Sequence, residues 1–151
     1  MFRGTYEQKI DDKGRVNVPV KFRDVLRSGE DERLFITNSR LRNVPCLDAY
    51  PYSAWQRLEA RLRDRSDLPP HLLAFYITYY LPGVHECPVD KQGRVLVPPR
   101  LRDYAGLVKE VVFTGQLDML RIWHREAWQP VFSSGERVLV ENPEIIPGFG
   151  I

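Results

Sequence analysis

The sequence lacks long apolar runs, and no stretch approaches the ~20 consecutive apolar residues that a membrane-spanning helix needs. The first residues, MFRGTYEQKIDDKGR, contain no apolar segment typical of a secretory signal peptide. We therefore expect a cytoplasmic protein. With 151 residues and 43% hydrophobic residues, the chain suits one compact domain, or two small units that share a core.

Cysteine and histidine are also scarce. The two cysteines, Cys46 and Cys87, lie far apart without a CxxC motif, so no disulfide is expected. His85 lies near Cys87, but two ligands are too few for a metal site, and both are interpreted as strand residues. No Ser-His-Asp or phosphate-loop pattern is present. The sequence therefore predicts neither catalysis nor a cofactor.

Net charge is low, at +2, but it is unevenly distributed. Residues 126–151 carry −3, whereas residues 1–125 carry +5. Of the 22 basic residues, most are arginine, whose forked guanidinium suits phosphates and guanine edges. This composition is compatible with nucleic-acid binding but does not by itself predict it.

One segment occurs twice in the chain. Residues 11–24 read DDKGRVNVPVKFRD, and residues 90–103 read DKQGRVLVPPRLRD, at an offset of 79 positions. Further along, LDAYPYSAW at 47–55 aligns with LRIWHREAW at 120–128 at an offset of 73. The first copy therefore contains an insertion, which we expect to be a polar loop within 38–46. Such an internal repeat indicates two copies of one structural unit.

Each copy predicts two strands around a tight turn, followed by a short helix. Asp11 and Asp90 occupy the first turn position, and Gly14 and Gly93 the fourth, where glycine can adopt a positive φ. Proline then ends the second strand and suits the first turn of a helix. Two further strands and a short helix, opening near Pro51 or His124, complete each copy.

The remaining segments connect or follow the copies. Residues 71–81, HLLAFYITYYL, are apolar almost all round, which predicts burial in this chain or against a neighbour. The tail after Trp128 is rich in proline and glycine and is expected to be extended or loosely ordered, with one possible strand at 138–142. The predicted organisation is a first repeat at 1–66, a connecting helix at 67–81, a second repeat at 82–128 and a tail at 129–151. A unit of about 70 residues is marginal alone, so the copies should share one barrel-like core.

These residues resemble the MraZ family of the SpoVT/AbrB-like superfamily. The resemblance covers roughly residues 1–128 and is carried by MFRGTYE at 1–7, by the two loops, and by LRDYAGL at 101–107. It implies an α+β, mainly β fold: a tandem-repeat double-split β-barrel with swapped hairpins and short helices. It also implies ring-shaped homo-oligomers that bind double-stranded DNA at repeated promoter elements of a division and cell-wall gene cluster, and hence a nucleoid-associated regulator. The chain departs from the family at FYITYY, 75–80, and in its tail, where a helix is usual.

The loops contain the candidate DNA-binding residues. Lys and Arg suit phosphates, and Arg can bridge two acceptors on guanine. These candidates are Lys13, Arg15 and Asn17 in the first copy, and Lys91, Gln92 and Arg94 in the second. Secondary phosphate contacts are expected from Lys21, Arg23, Arg100 and Arg102, although a solvated helix face explains them equally well. Asp11, Gly14, Asp90 and Gly93 are interpreted as turn-organising residues.

Three alternatives remain open. The D-x-x-G-R pattern in a single copy would be explained by a turn with an Arg–Asp ion pair and no ligand. The chain can also be an antitoxin-type module that binds a protein partner, or a ring-forming scaffold without affinity for DNA.

Asn17 in the first loop corresponds to Leu96 in the second. The first loop is therefore the more polar, and we expect it to read more of the DNA bases.

Overall fold

The computed structural model describes residues 1–150, with the side chain of Ser66 outside that description. Eight strands are found: β1 Thr5–Lys9, β2 Arg15–Asn17, β3 Arg33–Leu41, β4 Val44–Pro51, β5 His85–Pro88, β6 Arg94–Leu96, β7 Glu110–Gly115 and β8 Leu120–His124. The α-helices are α1 Val20–Ser28, α2 Tyr52–Arg63, α3 Pro70–Phe75, α4 Pro99–Ala105, α5 Arg125–Glu141 and α6 Ile145–Gly148. No helix within residues 1–150 is long and apolar enough to cross a membrane.

The fold is α+β and consists mainly of sheet. Six strands form one sheet in the order β1-β7-β8-β4-β3-β5, with every neighbouring pair antiparallel. Strand β1 of the first copy pairs with β7 of the second, and β5 of the second copy pairs with β3 of the first. The two copies therefore interleave within a single sheet, an arrangement that the sequence did not predict.

Strands β2 and β6 form a separate two-stranded ribbon. They are antiparallel, with Val16 opposite Val95 at the centre. Single bridges from Ile10 to Val16 and from Val89 to Val95 link the ribbon back to the chain that leaves β1 and β5. The ribbon thus consists of one strand from each repeat.

The main core lies between the ribbon, the six-stranded sheet and helices α1 and α4. Val16, Val95, Phe22 and Leu101 are fully buried there among the aliphatic side chains of the large sheet. Phe2 packs edge-on against Phe22, with ring centroids 5.3 Å apart. A smaller cluster, which includes Trp123 and Val131, joins α5 to the sheet.

The predicted turn-strand-helix order is confirmed in both copies, and α2 and α5 begin directly after Pro51 and His124. The expected polar loop at 38–46 is wrong. Strands β3 and β4 are instead long and pair from Leu34 with Pro51 to Leu41 with Val44, around a turn at Arg42 and Asn43. Both turn residues have positive φ values, as a two-residue hairpin turn requires. The insertion therefore extends a hairpin.

The expected extended tail is also wrong. Residues Arg125–Glu141 form the longest helix of the described chain, and 138–142 is not a strand. Trp128 and Val131 pack on the sheet, which stabilises the helix despite Pro130 inside it. The boundary expected at residue 128 thus falls within α5. That expected at residue 66 falls within the 3₁₀ turn Arg65–Asp67.

The connecting segment is helical but mostly exposed in the single chain. Helix α3 continues as a π-helical turn at Tyr76–Tyr80, and only Tyr80 of these residues is buried. Four large apolar side chains on this segment are exposed: Leu72, Phe75, Ile77 and Tyr79. Burial within this chain, one of the two expected possibilities, therefore applies to Tyr80 alone.

Candidate nucleic-acid interface

Both loops have the same turn, organised by an aspartate. Asp11 Oδ1 accepts hydrogen bonds from the backbone N–H groups of Lys13 and Arg15, at 3.0 and 2.8 Å. Its Oδ2 accepts one from Arg15 Nε at 2.9 Å. Asp90 repeats the arrangement with the N–H groups of Gln92 and Arg94, and with Arg94 Nε. Each carboxylate therefore stabilises the turn and also fixes one arginine guanidinium through its Nε.

These contacts affect the charge of the aspartates. Hydrogen bonds from the backbone of Arg15 lower the pKa of Asp11, with further lowering by the Arg15 side chain. The pKa of Asp90 is lowered for the same reason by Arg94. Both carboxylates are ionised at neutral pH. Because each arginine meets its aspartate through Nε, its terminal amino groups have no hydrogen-bond partner within residues 1–150.

Glycine is required at the fourth turn position. Gly14 has a φ of +91°, and Gly93 a φ of +82°. A Cβ atom on Gly14 would lie 2.6 Å from Arg102 Nε, and one on Gly93 would clash with the guanidinium of Arg23. Each loop is thus covered by an arginine from the helix of the other repeat.

The ribbon brings the two loops into one surface. Its backbone hydrogen bonds run from Val18 N to Gly93 O and from Val97 N to Gly14 O, both 2.9 Å. Gly14 and Gly93 are therefore at opposite ends of the ribbon. At about 3.4 Å per residue, the two ends are about 14 Å apart.

One face of the ribbon is directed away from the core. Val16 and Val95 point inward, so the alternation of a strand places Arg15, Asn17, Arg94 and Leu96 on the outer face. Arg15 lies opposite Leu96, and Asn17 lies opposite Arg94. Lys13, Lys91 and Gln92 are exposed in the turns at the two ends. The six candidate DNA-binding residues therefore lie on a single basic surface, which we call the ribbon face.

The secondary candidates separate into different environments. Lys21 is exposed on α1, as a phosphate contact requires. Arg100 instead donates to Asn38 Oδ1 and to the carbonyl of Gly83, so it ties α4 to β3 and to the turn before β5. Arg102 donates from Nε to the carbonyl of Val97 at 3.0 Å, and Arg23 Nε is buried without a partner in the described chain. Arg23 packs against Gly93 of the second loop, and Arg102 packs against Gly14 of the first.

The other chemically distinctive residues belong to the core. Trp55 and Trp123 are buried, consistent with the expected packing role. Burial raises the pKa of the Cys46 and Cys87 thiols to about 12, so both stay protonated at neutral pH. Sequence reasoning did not predict Leu96 as part of the ribbon face. Its alignment with Asn17 was the available signal, but the cross-strand register that places it beside Arg15 is visible only in the structure.

The chain is similar in sequence to known proteins. A family model described as "MraZ protein, putative antitoxin-like" matches residues 1–70 and 81–143. A protein of Syntrophobacter fumaroxidans named transcriptional regulator MraZ is 39% identical over 150 residues, covering 99% of this chain and 97% of its own. Two of the same name, from Geotalea uraniireducens and Geotalea daltonii, are 38% and 42% identical. The alignment with the Geotalea uraniireducens protein covers all of both chains. The alignment with the Geotalea daltonii protein covers 95% of this chain and 96% of the relative.

Proposed function

Since the chain belongs to the MraZ family, whose similar members are named transcriptional regulators, we propose that it regulates transcription by binding double-stranded DNA through the ribbon face. The observation that supports this most strongly is the convergence of two loops, 79 residues apart in sequence, on one basic surface. A turn whose only purpose was an Arg–Asp ion pair would not require two copies side by side.

The ribbon face suits the major groove of DNA. That groove is about 12 Å wide and admits a two-stranded β-ribbon. The terminal amino groups of Arg15 and Arg94 can donate to O6 and N7 of guanine, and the amide of Asn17 matches adenine. Lys13 and Lys91 at the two ends can contact phosphates, which orient the ribbon without reading sequence.

We infer that the two sheets form the double-split β-barrel implied by the family. The bridges Ile10–Val16 and Val89–Val95 support this, because they connect the ribbon to both edges of the large sheet. In this arrangement the ribbon closes the side of the molecule between β1 and β5. Its inner valines then complete the core while its outer face is left for DNA.

We also propose that the chain assembles into a ring-shaped homo-oligomer. The exposed apolar side chains of α3 and the π-helical turn support this, because large exposed apolar patches mark interaction surfaces. A ring presents several ribbon faces to repeated promoter elements, such as those of a division and cell-wall gene cluster. Linked weak contacts then raise overall affinity by about 10²–10⁴. A nucleoid-associated location would follow from this binding.

The proposed function is tested with duplex DNA from the region upstream of the protein's own gene, labelled for fluorescence anisotropy. We expect Arg15→Ala combined with Arg94→Ala to weaken binding by about thirtyfold or more, because two bidentate base contacts are lost and each contributes about 1–3 kcal/mol. The fold should persist, because the Asp11 and Asp90 bonds to the turn backbone do not need the arginine side chains.

Arg57→Ala is the matched control, because Arg57 is an exposed arginine on α2, which packs on β3 and β4 away from the ribbon. It should bind DNA like the wild type. If four cations per chain contact phosphates, raising salt from 50 to 200 mM should weaken binding by on the order of a hundredfold. Equal binding by the double variant and the wild type would contradict the role of the ribbon face.

A second candidate function is that of an antitoxin-type module that binds a protein partner. The family description, "antitoxin-like", favours it, as do the exposed apolar side chains of Val140, Ile146 and Phe149. This candidate predicts that deleting residues 142–151 abolishes a specific protein complex and leaves DNA binding unchanged.

A further inference from the structure

The ribbon face contains one large apolar side chain among its polar ones. Leu96 is 55% exposed, although it lies on a strand whose neighbours Val95 and Val97 are fully buried. It is opposite Arg15 on the same face and two residues along the strand from Arg94. The exposed Leu96 side chain contributes little to the core of the single chain, so it is available to an apolar group of a ligand.

The two repeats are related by an approximate two-fold axis through the Val16–Val95 pair. This relation exchanges Arg15 with Arg94, and it exchanges Asn17 with Leu96. The arginines are therefore equivalent on the two halves of the ribbon, whereas the residues beside them differ in chemistry. One half offers an amide with donors and an acceptor, and the other offers only a hydrocarbon surface.

We propose that Leu96 is a specificity-determining residue that contacts the C5-methyl group of thymine. This inference rests on the proposed DNA-binding function. The thymine methyl is the apolar group that B-DNA displays in the major groove, where apolar side chains recognise it. Adjacent residues on one face of a strand are about 7 Å apart, which corresponds to about two base-pair steps of 3.4 Å.

The consequence is an asymmetric reading of a nearly symmetric ribbon. Arg15 and Arg94 select guanine at two positions, Asn17 selects adenine near Arg94, and Leu96 selects thymine near Arg15. Because the two halves read different bases, a palindromic element would leave one half mismatched. Directly repeated, non-palindromic elements suit this ribbon better.

The test uses the upstream duplex prepared in two forms, one with thymine and one with uracil at every thymine position. Uracil lacks only the C5-methyl group, so all hydrogen-bonding groups stay unchanged. For the wild type we expect uracil to weaken binding by about fourfold or more, the value of one buried methylene-sized group. For Leu96→Ala we expect the two duplexes to bind equally, at the affinity of the wild type for uracil DNA.

Leu117→Ala is the matched control, because Leu117 is also a leucine with 55% exposure but lies in the turn between β7 and β8. It should keep the full thymine preference. Equal loss on uracil DNA by the wild type and Leu96→Ala, or no loss by the wild type, would overturn the Leu96 assignment alone. Absence of wild-type binding to the thymine duplex would instead overturn the proposed function.

Discussion

At the scale of single residues, the loop depends on an aspartate, a glycine and an arginine from the other repeat. The aspartate satisfies two backbone N–H groups and one guanidinium Nε in each copy. The glycine adopts a positive φ and leaves room for the crossing arginine. In Arg15 and Arg94, the terminal amino groups of the guanidinium are then the part that is free to contact a ligand. The turn structure and the proposed DNA recognition thus involve different atoms of the same motif.

We expect Gly14→Ala to lower the free energy of unfolding by about 1–3 kcal/mol. The new Cβ would meet Arg102 Nε at 2.6 Å and the carbonyl oxygen of Val97 at 2.9 Å, in a backbone conformation with φ of +91°. Urea denaturation followed by circular dichroism measures the change.

Gly135→Ala is the control for this substitution. Gly135 lies inside α5, and nothing is within 4 Å of its added Cβ. Alanine there should stabilise the protein by up to about 1 kcal/mol, because glycine is unfavourable in helix interiors. If Gly14→Ala were as stable as the wild type, the crossing-arginine arrangement would be refuted.

At the scale of elements, the connecting segment is anchored by a buried hydrogen-bond network. Tyr80 OH donates to Asp48 Oδ2 at 2.5 Å and lies 2.7 Å from Tyr50 OH. Asp48 Oδ1 accepts from Arg121 Nε at 2.8 Å. Because Asp48 is on β4 and Arg121 on β8, the network joins both repeats to the π-helical turn.

Removing the Tyr80 hydroxyl should therefore be costly. We expect Tyr80→Phe to lower the free energy of unfolding by about 1–3 kcal/mol, since it leaves the buried Asp48 carboxylate with one fewer donor. Tyr76→Phe is the control, because the Tyr76 hydroxyl forms no hydrogen bond within residues 1–150. Thermal or urea unfolding of the two variants gives the comparison, and equal stability would show that the network contributes nothing.

Sequence patterns predicted elements well where local chemistry determines them. The Asp-x-x-Gly turns and the proline helix starts follow from backbone preferences of single residues. The proline and glycine residues after Trp128, among them Pro130, predict an extended tail rather than helix α5. The spacing of Trp128, Val131 and Phe132 was the helical signal that should have outweighed them. Packing on the sheet compensates for the hydrogen bond that Pro130 cannot make.

At the scale of the whole molecule, the repeats are interdependent. Each repeat contributes one hairpin of the large sheet, β3–β4 or β7–β8. The sheet and the ribbon are completed only between the repeats, because β1 pairs with β7, β3 with β5 and β2 with β6. The repeat itself was readable from the sequence, and so was the need for a shared core. The strand order was not, since nothing in either copy specifies which strands pair across a gap of 79 residues. The ribbon face depends on that pairing, so the site could be predicted only as two separate loops.

The self-association proposed for the whole molecule is open to a direct test. Ile77 is 45% exposed on the connecting segment among other apolar side chains. We expect Ile77→Asp to reduce the mass measured by light scattering to that of a smaller species, since a buried unpaired charge is unfavourable in an interface. Val108→Asp, at a more exposed apolar position after α4, should leave the mass unchanged. An unchanged mass for Ile77→Asp would place the interface elsewhere.

We propose that DNA binds at the ribbon of β2 and β6. Hydrogen–deuterium exchange with and without the upstream duplex measures this most directly, because it reports on each segment separately. We predict slower exchange in both 13–18 and 91–97 when DNA is bound, and no change in α2. Protection of α2 or α5 with unchanged exchange in the two ribbon strands would contradict the claim.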